Sequence, residues 1–261
     1  MSLEQYPKLQ EINETNYQFK FGDYIGQGFD LFKQNMGNFV GYTLVYVMII
    51  GVLSVIPLIG FLGVYALSPI LYAGFLIGAH RTASGQRLEF GDFFKGFDHA
   101  GQLIVWYLVS IIATTLLMLP FFISIFSWYS EMLADPEGYI ENPDPFGMFA
   151  NIPSWSYLLF LPAIYLGVAW RWAPQFIVFN NMNFWDAMEM SRRLITKKWL
   201  IQFLFLIVFS IIGGIGALGL LIGMFFTVPA AMCMEYAAFA DVTKLNQVAS
   251  SVDDIEAHLV E

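Results

Sequence analysis

Four long stretches of this chain carry no Asp, Glu, Lys, Arg or His. They lie between Gln34 and Ala79, between Ala100 and Ser130, between Pro145 and Trp170, and between Trp199 and Met234. A helix that crosses a bilayer needs roughly 20 predominantly apolar residues, so the first and last stretches can hold two spans each and the middle two one each. Only 13% of the 261 residues are charged, against about 25% in an ordinary soluble domain. Hydrocarbon offers no partner to a free backbone N–H or C=O, which makes helix the natural state of these runs. The alternating polar positions of a transmembrane barrel are missing from them. The expected fold class is therefore all-α: a polytopic membrane bundle of about six transmembrane helices.

Two stretches need an internal break. Pro57, Gly60 and Gly63 supply it in the first, and Gly213, Gly214, Gly216 and Gly219 in the last. These residues suit a tight turn between antiparallel helices. The expected spans are 39–57, 60–79, 102–125, 156–179, 199–216 and 219–239. A polar arm over 1–20 precedes the membrane domain of 21–244, and a tail over 245–261 follows it. The arm lacks an apolar segment and a small-residue cleavage site, so the first span is expected to act as an uncleaved insertion signal.

Basic residues cluster on alternate connections. Lys8, Lys20 and Lys33 precede the first span; Arg81, Arg87 and Lys95 follow the second; Arg192, Arg193, Lys197 and Lys198 follow the fourth; Lys244 follows the sixth. The other side has none, and its long loop over 126–155 carries Glu131, Asp135, Glu137, Glu141 and Asp144. The positive-inside rule then puts both termini in the cytoplasm. The net charge of -9 argues against nucleic acid as a partner. Cys233 is the single cysteine, so no intramolecular disulfide can form.

The chain repeats itself. Phe21-Gly22-Asp23 recurs as Phe90-Gly91-Asp92 and, more loosely, as Phe184-Trp185-Asp186. Each copy opens an amphipathic segment. Ile25, Phe29, Phe32 and Met36 form an apolar face in the first, and Phe90, Phe93, Phe94 and Phe97 in the second. Such segments suit the cytoplasmic interface, either as anchors or as docking surfaces for a partner. Asn38-Phe39 and Pro69 match Lys198-Trp199 and Pro229 at one constant offset, and Pro174 takes the equivalent place in the middle. The reading is three hairpin units, 21–84, 90–180 and 184–244, each led by an interfacial helix. Asp23, Asp92 and Asp186 are expected to cap those helices. Ser251 to Glu256 in the tail reads as a short capped helix.

The segment Ala173-Pro174-Gln175-Phe176-Ile177-Val178-Phe179-Asn180, followed by Phe184 to Arg193 and Lys197-Lys198-Trp199, resembles a signature of bacterial six-span proteins. Gly74 to Phe97, with Arg81, Gly85 and Asp92-Phe93-Phe94, fits the same pattern. The resemblance is to the YciC-like inner-membrane proteins and to the membrane domain fused to some glycerophosphodiester phosphodiesterases. It covers most of residues 20–245. It implies a six-span fold in a bacterial cytoplasmic membrane and brings no activity of its own, because the phosphodiesterase chemistry belongs to a separate soluble domain.

Arg171 is the one basic residue inside a span. It sits roughly 13 Å from the cytoplasmic end of its helix at 1.5 Å per residue. A charge at that depth normally faces the bundle interior or water. Glu235 is the nearest counter-ion by charge, but register between continuous helices puts the two Cα atoms roughly 13 Å apart along the axis. Two readings follow: Arg171 locks the bundle through carbonyls or tyrosine hydroxyls, or it lines a pocket for a lipid headgroup or an anionic solute. Pro69, Pro174 and Pro229 should kink the even-numbered spans and free the carbonyls of Tyr65, Trp170 and Phe225. Such kinks can shape a curved bundle or build a midplane site. HExxH, Walker A and GxSxG motifs are absent, and no cofactor or metal is implied. The expected function is therefore a non-enzymatic membrane module that organises lipids, partner proteins or copies of itself, with a transporter or lipid-handling protein as the alternative.

Overall fold

A computed structural model describes residues 11, 12, 14, 17–141, 144, 146–150, 152–219 and 222–245. The expected helix in the tail at Ser251 to Glu256 lies outside them. Every regular element among the described residues is helical. The α-helices are α1 Phe21–Gln34, α2 Met36–Ser54, α3 Ile59–Ala83, α4 Ala100–Leu117, α5 Leu119–Ala134, α6 Pro136–Glu141, α7 Gly147–Ala150, α8 Phe160–Ala169, α9 Ala173–Asn180, α10 Phe184–Thr196, α11 Trp199–Ile215 and α12 Met224–Thr243. Short 3-10 helices cover Phe90–His99, Ser154–Leu159 and Gly216–Gly219.

Among the described residues, three helical stretches are long and apolar enough to cross a membrane: Met36–Ser54, Gly60–Ala83 and Phe90–Leu117. A fourth arises if α10 and α11, bent by 103° at their junction, form one span. Two expected spans are interrupted. The helix expected over 102–125 breaks at Met118, where Pro120 opens α5. The one expected over 156–179 is divided into α8 and α9 by a turn at Trp170 to Trp172, with Pro174 in the first turn of α9. Proline is tolerated at that position, where its missing N–H has no intrahelical acceptor to lose. At the first expected hairpin the helix ends at Ser54 and resumes at Ile59, and Leu58 takes a left-handed φ of 60°.

The chain divides into two compact units, Met1–Tyr107 with Ala169–Glu261, and Leu108–Val168. The second unit holds α5 to α7 and most of α8, with Phe121 set against Tyr157 and Phe160, and Trp128 against Tyr139.

The core of the larger unit is α12. From Pro229 to Thr243 every residue is buried except Met232 and Asp241. A helix apolar all round is stable only when neighbours surround it, and α12 packs against α1, α2, α3 and α11. The same change in burial runs along α3, where residues before Pro69 are mostly half-exposed and those from Pro69 to Ala79 are buried except Tyr72. In α9, Ala173 to Ile177 are fully covered. The apolar surface that remains is large: Val47, Met48 and Val52 on α2, Phe61 and Leu62 on α3, and Leu204 and Ile211 on α11 all stand exposed. Soluble proteins rarely present contiguous apolar surface on this scale, and hydrocarbon tolerates it.

The amphipathic segments face the protein, and the buried stripe differs from the expected one. In α1 the buried residues are Tyr24, Gly28 and Phe32, while Phe29 and Met36 are exposed and Ile25 half-buried. The reason is a close crossing with α12: a Cβ on Gly28 would run into the Met234 backbone. Tyr24 Oη donates to Asp241 Oδ2 at 2.6 Å, and Lys20 Nζ lies 3.2 Å from Asp241 Oδ1. In the 3-10 helix Phe90–His99 the covered residues are Asp92, Phe93 and Gly96, set against α3, and Phe90 and Phe97 stay exposed. In α10 the buried stripe includes Ala187, Ser191 and Ile195, and the helix packs on α9.

The aspartates do not cap as expected. Asp92 and Asp186 lie three residues inside their helices, whose N-caps are Glu89 and Asn183. The Asp92 carboxylate accepts the Glu89 N–H at 2.9 Å, and the Asn183 side chain accepts the Asp186 N–H at 3.0 Å. Glu89 and Asp92 form the reciprocal arrangement of a capping box, in which the acid at the third position serves the cap rather than being it. Asp23 sits in the first turn of α1, where no side chain caps the helix.

Candidate functional site around Arg171 and Glu235

The turn between α8 and α9 delivers Arg171 into the protein. Its Nε lies 3.0 Å from Glu235 Oε1 of α12, with side-chain exposures of 8% and 1%. The register expected between continuous helices argued against this direct contact. That register assumed a continuous helix through residue 171. Because α8 stops at Ala169 and α9 starts at Ala173, Arg171 leaves the helical path and its long side chain crosses to α12.

Other side chains complete the surroundings. Arg171 Nη2 donates to Gln202 Oε1 of α11 at 2.7 Å. Gln202 Nε2 reaches Tyr17 Oη at 3.4 Å, and Tyr17 Oη donates to the Leu194 carbonyl at 3.0 Å. Burial holds the Tyr17 phenol above its ordinary pKa, against the pull of Gln202 and Arg171, so it stays a donor. The Arg171 guanidinium carbon sits 5.6 Å from the centre of the Phe205 ring, within cation–π range. Gln175 and Trp172, both fully buried, turn toward the Glu235 carboxylate without full hydrogen-bond geometry.

The turn itself is pinned by Ser191 of α10. Its hydroxyl donates to the Ala169 carbonyl at 2.6 Å and accepts the Trp172 N–H at 3.0 Å. These bonds serve the backbone groups that the broken helix leaves over. The Trp170 carbonyl, expected to be freed by Pro174, accepts the Ala173 N–H at 3.1 Å. Pro69 and Pro229 lie inside α3 and α12, and Pro174 in the first turn of α9.

Three polar features escape sequence reasoning. Gln202 and Gln175 are uncharged and stand in apolar runs, and only an inward position gives them meaning. His80 Nδ1 meets Tyr236 Oη at 2.8 Å, with the Phe179 ring 4.9 Å from the imidazole, which joins α3, α9 and α12 next to Glu235. Arg81 Nη1 lies 3.0 Å from Asp92 Oδ2, and Lys95 Nζ 3.0 Å from Asp92 Oδ1. Sequence offered no partner for Asp92; the i,i+3 spacing of Lys95 was the one available signal. No family model, curated protein or solved structure matches the chain.

Proposed function

We propose that the chain is a non-enzymatic multi-pass membrane protein that holds lipids, partner proteins or further copies of itself in place. In this reading it has six spans in three hairpin units, sits in a bacterial cytoplasmic membrane as the YciC-like resemblance implies, and keeps both termini in the cytoplasm. The interrupted helices α4–α5 and α8–α9 serve as spans broken at proline. Support for three units comes from the docking pattern. The helix that leads each unit packs on the second helix of the unit before it: the 3-10 helix Phe90–His99 on α3, α10 on α9, and α1 on α12 to close the cycle. Tyr24, Phe93 and Ala187, each following the repeated aspartate, are all fully buried.

The observation that carries the scaffold reading is the way Arg171 is used. Glu235 faces its Nε, Gln202 accepts from its Nη2 and Phe205 lies beneath it, while Nη1 is buried without a hydrogen-bond partner. A buried ion pair spends most of its attraction on desolvation, and its role is to fix which surfaces meet. Arg171 and Glu235 tie α12 to the α8–α9 turn, and Gln202 adds α11. The second reading, lipid handling or transport, is favoured by the buried polar groups of Gln175 and Trp172, which exceed what the ion pair needs.

Arg171→Leu and Glu235→Leu separate the two. Each single change leaves a buried charge alone and should cost about 3–5 kcal/mol, whereas the double change should recover most of it. Thermal unfolding in detergent reads the stability, and native mass spectrometry reads the lipid retained. Unchanged lipid on a stable double variant supports the scaffold. Loss of bound lipid at preserved stability supports the second reading and removes the first.

A further inference from the structure

The α10–α11 junction carries a head-and-tail arrangement outside the Arg171 cluster. An open groove of about 460 Å³ is lined by Lys197, Lys198, Trp199, Leu200, Ile201 and Leu204. Both lysines stand at the N-terminal end of α11, with Lys198 as its N-cap. Below them Leu200, Leu204, Ile207 and Ile211 are 65%, 48%, 40% and 58% exposed. Their spacing of four, three and four residues makes one helical stripe. It runs for roughly 16 Å, about half of a roughly 30 Å hydrocarbon core. Trp199 stacks on Phe203, centroids 5.2 Å apart and rings inclined by 6°, which gives a rigid aromatic edge between the lysines and the stripe.

The neighbouring arginines are already engaged. Arg192 and Arg193 both bond Glu189, at 2.7 and 2.6 Å. The carboxylate that acts on Lys197 is Glu14, so a ligand there shares the ammonium with it. At the offset that matches Trp199 to Phe39 the two lysines correspond to Gly37 and Asn38, and α2 forms there without a basic pair.

We propose that this groove binds an acidic glycerophospholipid of the cytoplasmic leaflet, its phosphodiester on Lys197 and Lys198 and one acyl chain along the Leu200–Ile211 stripe. Lysine binds a phosphodiester as a point charge, and the two ammonium groups together match its negative charge. The anion also meets the N-terminal amides of α11. A soluble phosphate would use the lysines but have nothing to place on the stripe, and a zwitterionic lipid would use the stripe but cancel its own charge at the lysines. The proposal rests on the membrane reading above.

The test is quenching of Trp199 in phosphatidylcholine vesicles that contain brominated phosphatidylglycerol or brominated phosphatidylcholine, with the Trp199→Phe variant subtracted to isolate that indole. Two lysines at about 1 kcal/mol each give roughly a 10- to 30-fold preference for the acidic lipid. Lys197→Gln with Lys198→Gln should equalise the two lipids, and Lys197→Arg with Lys198→Arg should keep the preference. Equal quenching by both lipids in the unaltered protein overturns the proposal, as does relief of quenching by inorganic phosphate at constant ionic strength. Absence of quenching by either lipid would instead remove the membrane reading itself.

Discussion

Glu189 shows how a charged residue in this chain works at the level of the single side chain. Two arginines hold its carboxyl at about 2, below the ordinary 4.5, chiefly through the hydrogen bond from Arg192. A depressed carboxylate pKa adds stability that is complete above the unfolded value and disappears as pH falls through the folded one. The contribution of Glu189 is therefore present above about pH 4.5 and lost toward pH 2. Both arginines are more than a third exposed, so solvent screening keeps it near 1 kcal/mol. Thermal unfolding of Glu189→Gln should match that of the unaltered protein at the acid end and fall below it at neutral pH; a constant offset across the range would sink this account. Asp92 behaves in the same direction for a different reason. Burial raises its pKa, and the Glu89 N–H, Lys95 and Arg81 together outweigh that effect. Asp92 was visible in the sequence as a helix starter. Its partner Arg81 was not, because the two meet only after α3 and the 3-10 helix fold back on one another.

At the level of the element, the crossing of α1 over α12 depends on Gly28. A side chain there must displace the Met234 backbone, whereas Gly22 and Gly26 of the same helix have open space around them. Gly28→Leu should cost about 1–3 kcal/mol or more, as overpacked cores do, and release α1 to limited proteolysis near Lys20. Gly26→Ala should be neutral or stabilising by up to about 1 kcal/mol, because alanine favours helix. Equal effects of the two changes would mean that the α1–α12 contact is not held by this close approach. The sequence revealed that α1 is amphipathic but not which stripe is covered. Phe29 and Met36 outrank Gly28 in hydropathy, and a glycine signals burial only when the neighbour's backbone is known to approach. The breaks in α4–α5 and α8–α9 were hidden for a related reason. Pro174 was read as a kink within a continuous helix, and Pro120 drew no reading inside the expected span 102–125, yet proline serves as well in the first turn of a new helix.

For the whole molecule, the uncharged stretches made the helical, membrane-compatible character legible, because no soluble packing explains so many exposed apolar side chains. The division at Leu108 and Val168 was not legible, since hydropathy records which residues avoid water and says nothing of which helices touch. Orientation is the property of the whole chain that charge alone should decide. In the proposed six-span reading, Arg81, Arg87, Lys95, Arg192, Arg193, Lys197 and Lys198 fall on one side, and the acidic loop assigned to the other has no lysine or arginine. Moving basic residues outward is opposed during insertion, and acids have little say. Cys233 is fully buried, which leaves a silent background for introduced thiols. Gln86→Cys and Glu137→Cys both fall at exposed positions. In right-side-out vesicles an impermeant maleimide should label the second and spare the first until the membrane is opened. In inverted vesicles the order should reverse. Labelling of both from one face would mean that the segment between them crosses an even number of times. The pairing of α4–α5 as a single broken span would then have to be abandoned, and with it the six-span count.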